Sequence, residues 1–209
     1  MAQIPPSSSE ISNYQGLFAA VAEGNLEQVQ QFISEGADLE ERDSHERTPL
    51  LVAAHLSFDD VASVLLEAGA DSNALDQQRY DLITIAAVNN DVDMIKVGLE
   101  YGANPSNITS PYDGTALIAA AHLGHVETVQ TLIEAGATLD HINNLEWTAL
   151  IEAIVLGDGG ERHTAVVKAL VEAGANVNLA DGNGKTPLEL ATARSYQNMI
   201  DILEKAGGE

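Results

Sequence analysis

No cysteine occurs in the 209 residues, which excludes disulfides and thiolate catalysis and leaves the redox compartment open. Cations are scarce: nine Lys and Arg stand against 32 Asp and Glu, a formal charge of −23. Nucleic-acid binding needs clustered Lys and Arg to release counterions, so nucleic acid and anionic membrane surfaces are disfavoured as partners. Aromatic residues make up only 4% of the chain, a share that suits small-residue packing between thin helices. No apolar run approaches the ~20 residues that a membrane span needs. The opening stretch MAQIPPSSSEIS has no basic region followed by an apolar core. It does not read as a secretion signal, and the expected location is cytoplasmic.

What is present is a folded protein's apolar fraction, 45%, arranged with a period. The stretch Asp113–Ala137 (DGTALIAAAHLGHVETVQTLIEAGA) is the clearest instance. Thr115 can cap a helix by accepting an unpaired backbone N–H. Leu117, Ala120 and Ala121 recur at helical spacing, and Gly124 stops the helix because glycine tolerates positive φ. Val126, Val129, Leu132 and Ile133 form a second stripe, closed by Gly136. Neither helix can bury its stripe alone.

Helix-ending glycines fall at Gly36, Gly69, Gly102, Gly136, Gly174 and Gly207, at intervals of 33, 33, 34, 38 and 33 residues. Turn signals keep the same time: Thr48-Pro49-Leu50, Thr115-Ala116-Leu117, Thr148-Ala149-Leu150 and Thr186-Pro187-Leu188. Proline after a capping threonine suits the first helical position, where no N–H is required. A period near 33 with these residues resembles the ankyrin repeat. The resemblance covers residues 13–207 and implies an all-α ankyrin-repeat solenoid of stacked antiparallel helix pairs joined by β-turn hairpin loops. The expected organisation is a disordered arm over 1–12 and one repeat domain over 13–209. Its repeats run approximately over 13–41, 42–74, 75–108, 109–142, 143–180 and 181–209.

Several residues depart from the family pattern. The histidine usual after Thr-Pro-Leu is replaced by Leu51, Thr84, Ile118, Ile151 and Glu189. In the third repeat Asn90 takes the bend glycine's place, which asparagine's tolerance of positive φ permits. The same repeat puts Gly98 where others carry Leu65, Leu132 or Leu170, marking either a soft point or a close approach. The fifth repeat carries five extra residues, Asp158, Gly159, Gly160, Glu161 and Arg162, read as a mobile recognition loop or as a tolerated insertion.

The family resemblance implies a concave face lined by turn tips and first helices. One position before each capping residue stand Tyr14, Arg47, Tyr80, Gly114, Trp147 and Lys185, with Tyr112 close by. The resemblance implies that this column is exposed, and Tyr, Trp and Arg are enriched at binding hot spots. The alternative is that these rings lie flat and stiffen the hairpin ridge. At the foot of the first helices, His55, Leu56, Asn89, His122, Leu123 and Leu156 would border the same groove, with the three leucines forming an apolar strip.

Chemistry is thinly supported. His122, His125 and His163, with Asp158 or Glu161, have zinc-compatible residue types, but a site requires three or four ligands converging on one point. Glu152 is an acid at a mostly apolar position, read either as a perturbed carboxylate or as a partner of the inserted loop or His163. No phosphate loop or nucleophile constellation is present, so no enzyme activity, cofactor or metal is expected. The sequence therefore reads as a monomeric adaptor or inhibitor that binds a protein or peptide on its concave face. An acidic neutraliser of a basic toxin or nuclease is the first alternative, since acids steer a basic surface inward. A metal or hydrolytic site near residues 158–162 is the remote one. On this reading, alanine at Tyr80 or Trp147 weakens partner binding without unfolding the chain, which titration of the captured partner would measure.

Overall fold

The structure is a computed structural model and describes residues 3–209. Its described residues form α-helices and no strand, apart from one isolated antiparallel bridge between Thr109 and Gly114. Where the periodicity predicts one repeat domain over 13–209, the backbone packs as two compact units, one up to Asn104 and one over Pro105–Glu209.

The first unit holds α1 (Ser8–Asn13), then the pairs α2 (Gly16–Ala22) with α3 (Leu26–Ser34), α4 (Pro49–His55) with α5 (Asp59–Glu67), and α6 (Leu82–Asn89) with α7 (Val92–Glu100). The second holds α8 (Ala116–Leu123) with α9 (Val126–Glu134), α10 (Ala149–Val155) with α11 (Glu161–Glu172), and α12 (Pro187–Ala193) with α13 (Gln197–Lys205). Within each unit the first helices pack on one another and the second helices form a parallel row.

The local signals act as their chemistry requires. Thr48, Asp81, Thr115, Thr148 and Thr186 each accept the N–H three residues on, capping α4, α6, α8, α10 and α12. Asn90 adopts φ 57° in the left-handed region and ends α6. Each hairpin is tied by an acceptor at its base. Asp43 Oδ1 takes the N–H groups of His45 and Arg47 at 2.8 and 3.0 Å. Asp76, Asn143 and Asp181 repeat the arrangement.

A second set of acceptors joins repeat to repeat. Within the first unit Glu40 accepts the N–H of Asp71 at 2.8 Å, and Asn73 that of Asn104 at 2.9 Å. In the second unit Ser106 accepts from Thr138, Asp140 from Asn176, and Asn178 from Glu209, each at 2.9 Å. Every contributor lies just after a helix-ending glycine, so each repeat satisfies a turn donor of the next. The inner first helices α4, α6, α8 and α10 are buried over most of their length: Leu50, Leu51, Val52, Leu82 and Ile85 in one unit, Leu117, Ile151 and Ile154 in the other, have 0–1% exposure. Each such side chain contributes about 1.5–3 kcal/mol, and only neighbouring helices supply the cover.

Two expectations are corrected here. The arm is not disordered over its described part: residues 8–13 form α1, capped by a reciprocal Ser7–Glu10 box. Met1 and Ala2 lie outside the described residues. In the fifth repeat, Glu161 and Arg162 belong to the first turn of α11, so two of the five inserted residues lengthen a helix and Asp158, Gly159 and Gly160 remain in the bend.

Gly98 marks a close approach. A Cβ there would lie 2.8 Å from Leu82 Cδ2 and 3.0 Å from Ile83 Cδ1. Leu82 stands where other repeats carry Pro49, Ala116, Ala149 or Pro187, so its extra volume fills the space that a leucine takes elsewhere. Gly98→Leu, which restores the residue of the neighbouring repeats, is therefore expected to overpack the site and destabilise the chain by at least ~2 kcal/mol. A urea midpoint equal to or above that of the wild type would contradict this packing.

Candidate functional site

The residues expected to contact a partner fall in both units. In the first unit, Arg47 is not exposed but fully buried. Its Nε donates to Asp43 Oδ2 at 2.7 Å, its Nη1 to the Ile4 carbonyl at 3.0 Å, and its Nη2 to Glu10. Tyr14 is half-buried, with its hydroxyl donating to the same Asp43 oxygen at 2.6 Å. His45 Nδ1 lies 2.9 Å from Glu10 Oε1. Arg47 is therefore an internal cation neutralised by two acids, because residues 4–14 fold back over it. Tyr80 is also buried, at 2% exposure, which corrects the expectation that alanine there leaves the fold intact: truncating a buried aromatic costs about 3–5 kcal/mol. His55 and Leu56 are half-buried. Asn89 is exposed and engaged, accepting from Gln3 Nε2 at 2.8 Å and donating to the Ala54 carbonyl at 3.4 Å.

The surroundings set the charge states. The Ser7 hydroxyl does most to hold Glu10 down, at about 2, with the Ser7 N–H and Arg47 outweighing the upward push of burial. Burial would raise Asp43, but hydrogen bonds from Arg47 and Tyr14 keep it below its ordinary value. Burial, then the bond to Asp43, pushes the Tyr14 phenol up. Burial, and then the Arg47 charge, lowers His55 to about 4.

In the second unit the hairpin tips carry the exposed apolar surface. Tyr112 is 43% exposed and Lys185 is also exposed, its Nζ 3.0 Å from Glu189. Trp147 is half-buried and Gly114 buried. Ile108 and Ile142, each 49% exposed, and Leu145, 46% exposed, join Tyr112 on the turns. The two tips are zipped together: Asn144 donates its N–H to the Tyr112 carbonyl at 2.9 Å and its side-chain amide to that of Pro111 at 3.1 Å. The sequence reading missed these three aliphatic residues. Their signal was the position before the hairpin acceptor, which reads Arg42, Leu75, Ile108, Ile142 and Ala180 and turns apolar in mid-chain. The expected leucine strip is reduced to Leu156, at 45% exposure, because Leu56 and Leu123 are half-buried.

The bend after α10 is tied in place. His163, nearly buried, directs Nδ1 at Asp158 Oδ1 and Nε2 at the His122 carbonyl, both at 3.1 Å. Its ring lies 3.1 Å from where a Gly124 Cβ would be, so glycine there supplies clearance as well as positive φ. Tyr196 donates to the Gly157 carbonyl at 3.0 Å and its ring covers Gly159. Glu152 bonds neither the loop backbone nor His163. Its two oxygens lie 3.1 Å from His122 Nδ1 and 3.0 Å from Asn143 Nδ2, so the acid braces the foot of α8 against the base of the fifth hairpin. Among the described residues, no three His, Asp or Glu side chains are grouped to hold a metal. No described helix is long and apolar enough to cross a membrane.

A family model for ankyrin repeats in sets of three matches residues 17–109 and 83–181. The chain belongs to the ankyrin-repeat family. It is 32% identical over 190 residues to the ankyrin repeat protein YahD of Escherichia coli (strain K12), covering 90% of this chain and 94% of that one. Among solved structures, it resembles an ankyrin repeat domain from Acinetobacter baumannii AYE at 40% identity and a TM-score of 0.89, covering 92% of this chain and 98% of the other. The ankyrin domain of Bcl-3, a member of the IkappaB protein family, is 27% identical with a TM-score of 0.84, covering 94% of this chain and 88% of that one. Ankyrin repeats are interaction scaffolds that bind other proteins.

The shifted groups set an acid response. His55 favours its neutral form when folded, so its contribution is complete above its ordinary 6.5 and is lost as pH falls from there towards 4. Glu10 favours its charged form, so its contribution is complete above 4.5 and is lost as pH falls from 4.5 towards 2. Urea midpoints measured across this range should show both declines. His55→Asn should flatten the upper window and Glu10→Gln the lower, whereas unchanged profiles would contradict the assignments.

Proposed function

We propose that this chain is a non-catalytic adaptor or inhibitor that masks a surface of another protein, and that the contact centres on the hairpin ridge of the second unit. One observation carries the reading: Ile108, Tyr112, Ile142 and Leu145 are large, exposed and apolar, and Tyr112 and Leu145 lie on tips that are hydrogen-bonded to each other. Scattered exposed apolar residues need no explanation, but a cluster on rigid turns is the composition of an interface centre. Trp147, half-buried beside Glu146, supplies a ring that needs little further ordering on contact.

The rim is acidic. Asp140 and Glu146 are exposed beside Ile142 and Leu145, on a chain of charge −23. The complementary partner is a protein with an apolar centre ringed by Lys and Arg, steered inward by the long-range field. A partner of strongly basic character, such as a toxin or nuclease held inactive, is the extreme case of this complementarity.

The test is a Tyr112→Ser, Leu145→Ser double variant, whose sites are too exposed to alter stability by more than ~0.5 kcal/mol each. Against the protein that the wild type captures, its affinity should fall at least tenfold, as expected for hot-spot loss. The association rate of the wild type should also drop steeply between low and physiological salt. Undiminished affinity in the double variant would remove the ridge as the contact.

A further inference from the structure

The first unit presents a different surface, and residues of the same chain cover it. The segment from Gln3 to Glu10 reaches from the start of α4 to the end of α6. The Ile4 carbonyl accepts from Arg47 Nη1 at 3.0 Å, and the Gln3 side chain donates to Asn89 Oδ1 at 2.8 Å. Pro6 is buried, and Glu10 places a carboxylate on Arg47 and His45. These contacts are those of a bound peptide: a main-chain carbonyl and a carboxylate, each met by a side chain from a distant part of the sequence, with a buried apolar residue between them. Arg47, His55 and Asn89 are residues that the repeat pattern assigns to partner contact.

The fit is incomplete. Gln3 Oε1 and His55 Nε2 are buried without a hydrogen-bond partner, a costly arrangement that a purely structural cap has no reason to keep. Covalent attachment compensates, because a tethered segment meets its site at high effective concentration however imperfect its contacts.

We infer that this face of the first unit is a peptide-binding site, and that residues 3–10 are its occupant in cis. The partner it fits is a segment that turns from irregular chain into a short helix, with a main-chain carbonyl in the place of Ile4, a small apolar residue in the place of Pro6 and a carboxylate in the first helical turn in the place of Glu10. The carboxylate is an isolated one in an otherwise neutral or basic stretch, because the field of this acidic chain repels a polyacidic segment. Binding there requires the cis segment to leave, so the site is gated, and it works independently of the ridge in the second unit.

The test uses the full chain and a fluorescein-labelled peptide of its own residues 3–14, QIPPSSSEISNY. In a Pro6→Asp, Glu10→Arg double variant the anchor is lost and a cation faces Arg47. Amides 3–14 should lose their exchange protection, and the peptide should bind at least tenfold more tightly than to the wild type. Equal affinity for the two proteins overturns the inference, and so does a variant whose segment is released but binds no peptide. Glu10→Gln serves as the milder variant, with exchange of residues 3–14 at least threefold faster and α4 and α6 unchanged. Loss of protection in α4 and α6 in parallel with the segment would make it a structural cap and sink the proposal.

Discussion

The structure depends on donors and apolar faces that no repeat can satisfy for itself. A helix pair of this size has two stripes to bury and a turn whose N–H groups point outward. Neighbouring pairs supply both remedies: their first helices cover the stripe, and an acceptor four residues past the helix-ending glycine of the preceding repeat takes the N–H. Glu40, Asn73, Ser106, Asp140 and Asn178 perform the second task. Chemically they differ, but each offers an oxygen at the same place, which is all the geometry asks. The turn tips are joined through backbone and Asn144 hydrogen bonds, which leaves side chains such as Tyr112 and Leu145 exposed on them.

The buried cation at Arg47 shows how such a scaffold handles charge. An isolated ion in that position would be strongly destabilising, whereas Asp43 and Glu10 together with the Ile4 carbonyl satisfy the guanidinium. Asp43 does double work, because its other oxygen holds the hairpin. Glu10 is contributed by the leading segment, so the electrostatic balance of the first unit and the position of that segment are one and the same question. His55, low in pKa and unpartnered at Nε2, lies in the same region.

Much of the fold was legible because its causes are local. Glycine at a positive-φ helix end, threonine at a cap and proline at the first helical position state their roles within a few residues, and a period near 33 assembles them. The site was less legible, since exposure is decided by contacts remote in sequence. Arg47 and Trp147 stand in the same column of the repeat, yet a carboxylate 37 residues away buries the first. The helix over residues 8–13 was readable and missed: Ser7 and Glu10 form the Ser-x-x-Glu box that starts helices, in a stretch whose serines and prolines suggested disorder. The filling of Gly98 by Leu82 needed the packing itself, though the two unusual residues sit in one repeat and trade volume.

Native-state hydrogen exchange on Asn73→Ala tests most directly whether neighbouring repeats hold each other up. That substitution removes the acceptor for the Asn104 N–H and the side-chain bridge to the Gly102 carbonyl, and leaves every helix of its own repeat intact. If repeats are stable only as neighbours, protection falls together in α4 and α5 and in α6 and α7. A loss confined to the turn around Asn73 and Asn104, with both helix pairs as protected as before, would show that each repeat stands alone and would contradict the account.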